Sequence, residues 1–294
     1  MLVKAHAKIN LLLDVLGTRA DGYHELKTVM QTLSLCDDVI LEPAPAISLA
    51  VAGANLTAGP ENLAYRAADL LRKRTGYRGG AAVRLIKRIP LAAGLAGGSA
   101  DAAAVLCGLN KMWHLGLGID ELSFLGAELG SDVSFCLWGG TALCQGRGEV
   151  VTPLPALPSA GVLLVKPHFG VSTADVYQRY DTLASPNHPD IQEMLTVVKN
   201  ADMSGVVKKL GNSLEQVTLA LHPELQLLKD EIATTGATGV LMSGSGPTVF
   251  GIYADPPSAV RAAGIVKKEN RWVQATAFYP ENNQKVGCSG AVIR

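Results

Sequence analysis

The chain has 294 residues, about twice a common domain length, so two domains or one large α/β unit are expected and a disulfide-stapled mini-protein is excluded. Hydrophobic residues make up 48% and charged residues 18%, enough apolar material for packed cores and too little charge for a disordered chain. Lys plus Arg and Asp plus Glu both number 26, so the formal net charge is zero and the basic excess of a nucleic-acid binder is missing.

At the N-terminus Val3, Ala5, Ala7, Ile9, Leu11, Leu13 and Val15 alternate with positions that include Lys4, His6, Lys8, Asn10 and Asp14. Period two predicts a strand over 2–15 with one buried face, and it puts Lys8 and Asn10 together on the polar face. The same polar residues interrupt what would otherwise be the core of a signal peptide, and no long apolar run occurs elsewhere, so neither export nor a membrane span is expected. A turn-forming stretch at 17–22 leads into a β-rich run near 26–35, which reads as a long hairpin or meander. Two short strands are predicted at 39–42 and 47–51. The spacing of Leu63, Ala67, Leu70 and Leu71 predicts a helix over 61–75. A strand near 82–87 then runs into a Gly-rich segment followed by an alanine-rich helix former, giving the local order strand, glycine loop, helix.

Pro153, Pro155 and Pro158 mark a surface crossover, and a boundary placed there divides the chain into residues 1–156 and 157–294. Beyond it come a strand at 161–166, helical segments, a helix at 224–233, strands at 239–242 and 248–253, a helix at 258–268 and a strand at 272–277. With the middle helices as insertions, this is the βαββαβ order of a ferredoxin-like unit. The cysteines Cys36, Cys107, Cys136, Cys144 and Cys288 contain no C-x-x-C pair and no zinc spacing, so reduced, mostly buried thiols are expected.

Three segments carry candidate chemistry. In Pro90-Leu91-Ala92-Ala93-Gly94-Leu95-Ala96-Gly97-Gly98-Ser99-Ala100, small residues crowd backbone amides together before a helix start, an arrangement suited to phosphate oxygens. It is neither a Walker A sequence nor a dinucleotide fingerprint, and close packing at a helix start fits the same residues. A second small-residue loop, 242–248, lies between two predicted strands and also fits a plain hairpin turn. Asp132 stands among small and apolar residues, where a carboxylate needs a cation or donors. Lys8 is the partner the strand pattern nominates, and a helix-capping role for Asp132 is the alternative.

Taken together, AKINLLLDV, RADGYHEL, IPLAAGLAGGSADAAAVL, LGSDVSF, GRGE and MSGSGPTVF resemble the GHMP kinase superfamily, in family order over nearly the whole chain. DGYH after the first strand is similar to the branch that phosphorylates a cytidine diphosphate methylerythritol. The resemblance implies an α+β, two-domain fold: an N-terminal α/β domain with a mixed sheet, a C-terminal ferredoxin-like domain and a cleft between them. It implies ATP and Mg²⁺ as cofactors, Lys8 and Asp132 as the catalytic pair, and the loop from Pro90 to Ala100 around the ATP phosphates. Asn62 and Lys87 match positions lining the adenosine side. Asn10, Tyr23, His24 and Tyr177 match positions that hold the cytidine diphosphate substrate. Ser99 is a candidate metal ligand. Ala96 and Ala100 depart from the commoner GLGGGSS form of the loop, where a methyl group restricts the backbone. The implied location is the cytoplasm of a bacterial-type cell, with small-molecule partners and neither nucleic acid nor membrane. Two other readings compete: a GHMP kinase for mevalonate, homoserine or a sugar, which has no need of a cytosine pocket, and a nucleotide-binding relative without turnover.

Overall fold

The computed structural model describes residues 1–279, so Cys288 and the end of the second segment lie outside the described residues. The first half runs β1 (Leu2–Thr18), β2 (His24–Ala44), β3 (Ser48–Ala52), α1 (Leu63–Thr75), β4 (Gly80–Ile86), α2 (Gly97–Met112), α3 (Ile119–Leu129), α4 (Ser131–Trp138), β5 (Thr141–Gly146) and β6 (Val150–Pro153). The second half runs β7 (Gly161–Pro167), α5 (Thr173–Tyr180), α6 (Ile191–Lys199), α7 (Met203–Lys208), β8 (Gly211–Asn212), α8 (Glu215–Leu221), α9 (Glu224–Ala233), β9 (Gly239–Met242), β10 (Val249–Tyr253), α10 (Pro256–Val266) and β11 (Arg271–Ala277).

β1 and β2 form the long antiparallel hairpin that the alternation and the turn residues predict. The separate strand expected at 39–42 is instead the far half of β2, which continues past Cys36, Asp37 and Asp38 and exchanges one neighbour for another. Its first half pairs with β5 and its second half with β4. The resulting seven-stranded sheet has the order β3-β4-β2-β1-β8, with β5 and β6 beside the first half of β2. β3 pairs parallel with β4 and β8 parallel with β1, so the sheet is mixed, as expected.

β1 departs from the expected single buried face, because every residue from Ala7 to Val15 is buried. Val3 and Ala5 pack with the helices α1 to α4, whereas Ile9 and Leu11, of the same parity, pack with residues of the second sheet such as Val162, Leu164 and Phe250. The change of face coincides with a register shift between His6 and Lys8, the kind of irregularity that re-aims side chains near functional sites. Strict alternation therefore reads the strand correctly and its faces only in part.

β7, β9, β10 and β11 form a fully antiparallel sheet in the order β11-β7-β10-β9. With α9 and α10 this is the ferredoxin-like βαββαβ topology, α5 to α8 being the insertion. β8 belongs to that insertion but joins the first sheet, so the second half of the chain closes the edge beside β1. Among the described residues no helix is long and apolar enough to cross a membrane; of the cysteines there, Cys107 and Cys144 are buried and Cys36 and Cys136 partly buried.

Candidate active site

Lys8 and Asn10 leave β1 on the side of α4 and the glycine loop. Both are buried, at 4% and 1% exposure, so their polar atoms need partners. Lys8 Nζ donates to Asn10 Oδ1 at 2.7 Å and stands 3.5 Å from Asp132 Oδ2. Asn10 Nδ2 donates to Thr28 Oγ1 at 2.8 Å, and that hydroxyl donates to the Leu12 carbonyl. Both ends of the Asn10 amide are thus engaged in holding Lys8 to the hairpin. Asp132 lies in the first turn of α4, whose start carries no side-chain cap. The two roles considered for it coincide, since a carboxylate in a first turn also gains from the positive end of the helix.

The glycine loop is fixed from two sides. Lys8 N–H donates to the Leu95 carbonyl at 3.1 Å, and Ser243 Oγ donates to the Gly94 carbonyl at 2.9 Å. A Cβ on Gly94 would come within 2.2 Å of the Ser243 carbonyl oxygen, and its φ is +71°, so the close approach requires glycine. Ala96 precedes α2 at φ 57° and ψ 28°, a left-handed conformation held by a residue with a side chain. α2 has no side-chain cap, which leaves its leading amides to face an anion. Ala100 is an ordinary buried helical residue, where the methyl group costs nothing.

These parts enclose one cleft of about 740 Å³. From the loop it is lined by Gly94, Ala96 and Ser99; from the hairpin by Lys8, Asn10, Thr28, Tyr23 and His24; from the helices by Asp132 and Tyr177. Gly244 and Ser245 also reach it, so the second small-residue loop is both the turn between β9 and β10 and a wall of the site. Burial, then the Asp132 charge, push the Tyr177 phenol above its ordinary value and keep it protonated. His24 Nε2 meets Asp181 Oδ1 at 2.8 Å, and the Tyr177 ring lies 4.5 Å from the His24 ring. Tyr23 is 54% exposed, with the Arg147 guanidinium 4.9 Å over its ring.

Several expected residues lie elsewhere. Lys87, expected on the adenosine side, is buried between Asp37 and Asp101 and does not line this cleft. The reason is electrostatic: two interior carboxylates require a cation, and Lys87 is the one supplied. Asn62 caps α1, accepting from Ala64 N–H and donating to the Thr57 carbonyl, and it too is outside the cleft lining. Within the loop, Ala93 and Leu95 are buried beneath it, and Pro90, Leu91, Ala92, Gly98 and Ala100 do not line the cleft either. A Cβ on Gly97 would meet Ile89 at 3.0 Å, so a side chain there points into the core and not at a ligand. Sequence reasoning missed Thr28, Arg147 and Asp181. Arg147 stands in the GRGE segment, and Asp181 follows Tyr177 by four residues, the spacing that puts two side chains on one helix face.

A lysine on a strand opposite a carboxylate at one helix start, beside a glycine loop leading to another, in a two-sheet α+β fold, defines a GHMP-type kinase. The profile of the GHMP kinases N terminal domain matches residues 62–140, and that of GHMP kinases C terminal matches residues 194–271. The 4-diphosphocytidyl-2-C-methyl-D-erythritol kinase of Pelotomaculum thermopropionicum is 50% identical, covering 94% of this chain and 96% of its own. That of Bacillus mycoides is 51% identical over 86% of this chain and 88% of its own. A crystal structure of 4-(cytidine 5′-diphospho)-2C-methyl-D-erythritol kinase superposes with a TM-score of 0.79 at 36% identity, covering 95% of this chain and all of that one. The chain belongs to the GHMP kinases and, within them, to the 4-diphosphocytidyl-2-C-methyl-D-erythritol kinase family.

Proposed function

We propose that the protein transfers the γ-phosphoryl group of ATP to the 2-hydroxyl of 4-(cytidine 5′-diphospho)-2-C-methyl-D-erythritol, in the methylerythritol phosphate route to isoprenoid precursors. The observation that carries this reading is a single cleft holding the Lys8–Asp132 pair, the glycine loop and the aromatic groups Tyr23, His24 and Tyr177. Asp132 accepts the proton of the substrate hydroxyl as its oxygen bonds to the γ-phosphorus and the bond to the departing ADP oxygen breaks. Lys8 offsets the charge gathering on the transferred group, and the amides leading into α2 hold the phosphates. Catalysis of this kind rests on positioning and electrostatics, because phosphoryl transfer asks for little covalent help.

Ser99 Oγ, at the start of α2, and the Asp132 carboxylate are hard oxygen donors that line the cleft, and no group of three or more His, Cys, Asp or Glu side chains placed to hold a metal occurs among the described residues. That sparse donor set fits Mg²⁺, which keeps most of its waters and binds largely through phosphates. Ser99 and Asp132 would hold the ion, and the chemistry it would supply there is positive charge against the ATP phosphates.

The test is ADP release measured with cytidine diphosphate methylerythritol, mevalonate, homoserine and a sugar. Turnover with the first at a kcat/KM far above the others is expected. Turnover with mevalonate or homoserine instead would overturn the substrate assignment, and ADP release with none of them would favour the relative without turnover.

A further inference from the structure

Asp181 ends α5, a helix of the second half of the chain, yet its carboxylate meets the imidazole that opens β2 in the first half. Tyr177, one turn earlier on α5, lies against the same imidazole at 4.5 Å between ring centroids and 30° between planes. One helix therefore holds His24 twice, by the face of its ring and by the edge. An ionised carboxylate only accepts hydrogen bonds, so the proton in the 2.8 Å contact sits on His24 Nε2. In a neutral imidazole the other nitrogen, Nδ1, then carries a lone pair, and it has no hydrogen-bond partner among the described residues. His24 lines the cleft, with only 12% of its side chain exposed.

We propose that Asp181 is a specificity-determining positioning residue: by fixing the proton on His24 Nε2 it leaves Nδ1 as an acceptor, matched to a base bearing an exocyclic amine and mismatched to one bearing a carbonyl there. This rests on the cytidine reading above. Asp181 itself touches no substrate in this scheme. It acts through His24, as a carboxylate orienting an imidazole does in other sites. A cytosine amine donates to Nδ1, whereas the oxygen of uracil faces a second acceptor, and a polar site rejects a ligand that leaves its groups unpaired.

The experiment has two readouts on the full-length protein. The first is the kcat/KM ratio for the cytidine substrate over its uridine counterpart, with wild type, Asp181→Ala and Asp181→Asn. The second is the ¹⁵N spectrum of His24 in the free enzyme, which reports the protonated nitrogen without any substrate. Wild type is expected to carry the proton on Nε2 and to prefer cytidine. Asp181→Ala should lower that preference roughly tenfold or more, through KM more than kcat, with the proton redistributed between the two nitrogens. Asp181→Asn, whose amide oxygen accepts the same proton, should retain most of the preference. A wild-type spectrum with the proton on Nδ1 overturns the assignment even where the alanine variant fails to fold. So does a preference that survives Asp181→Ala in the folded enzyme. Absence of any turnover of the cytidine substrate by wild type instead removes the functional reading on which the assignment rests.

Discussion

The amide oxygen of Asn10 accepts from the ammonium of Lys8 at 2.7 Å, from two residues further along the same strand. The Asn10 amide nitrogen is taken up by Thr28, so the side chain works as a brace between the two strands of the hairpin and has no free end. Asn10→Ala should therefore lower kcat about 10- to 100-fold by letting Lys8 drift from Asp132, with a smaller change in the KM of the cytidine substrate. Steady-state kinetics separate the two constants. A rise in KM alone would return Asn10 to direct substrate contact, the role its position in the family motif implies.

Asp132→Asn keeps the shape of the side chain and removes the base. The expected fall in kcat is roughly 10² to 10⁴, with the melting temperature close to wild type because Asp132 is partly exposed, at 30%. Turnover within a few-fold of wild type would take Asp132 out of proton transfer and leave its helix-start position as its whole role.

Much of this was legible in the sequence. The hairpin, the strand–loop–helix order and the βαββαβ order all follow from short-range periodicity and turn residues. Lys8 and Asn10 were paired by alternation because they lie two apart on one strand. Apart from the pairing of Lys8 with Asp132, longer relationships left no such signal. Asp37 and Lys87 are fifty residues apart, and nothing local distinguishes a lysine that neutralises buried acids from one that faces a ligand. Asp37 and Asp38 also hid the length of β2, since charged residues inside a strand look like a break until their partners are in place. Asp181 escaped because its partner His24 belongs to the other half of the chain.

Tyr23 is the most open of the aromatic groups in the cleft, and Arg147 lies over one face of its ring. Tyr23→Ala should raise the KM of the cytidine substrate roughly 10- to 100-fold, the equivalent of base–aromatic stacking, and leave the KM of ATP nearly unchanged. A parallel rise in both would point to general damage to the hairpin.

Ala96 holds a left-handed conformation that costs a residue with a side chain about 1–2 kcal/mol. Ala96→Gly relieves that cost, offset in part by the greater freedom of glycine in the unfolded chain, so a net gain of up to about 1 kcal/mol is expected in denaturant unfolding. The KM of ATP should stay level, because the loop already has the required shape. A loss of stability would show that the Ala96 methyl contributes packing that outweighs its backbone strain.

Behind that loop, Lys87 Nζ bridges Asp37 and Asp101 out of contact with water. Asp37 also accepts from the backbone amides of Arg88 and Ile89. Asp101 has less support: one of its oxygens is buried without a partner, and one ammonium serves two carboxylates. Burial is the first cause that pushes the Asp101 carboxyl up, to about 7 from 3.8, with the Asp37 charge adding to it and Lys87 opposing. The folded state then binds a proton that the unfolded chain has already released, so stability falls as pH rises from about 4 through 7. Asp101→Asn is uncharged throughout and lacks this slope. Urea unfolding of both proteins at steps between pH 5 and 8.5 should show the variant gaining on wild type as pH rises, by an amount on the order of a few kcal/mol, then running parallel above pH 8. Parallel curves over the whole range would mean that Asp101 is ionised throughout, with Lys87 neutralising both carboxylates more effectively than burial opposes them.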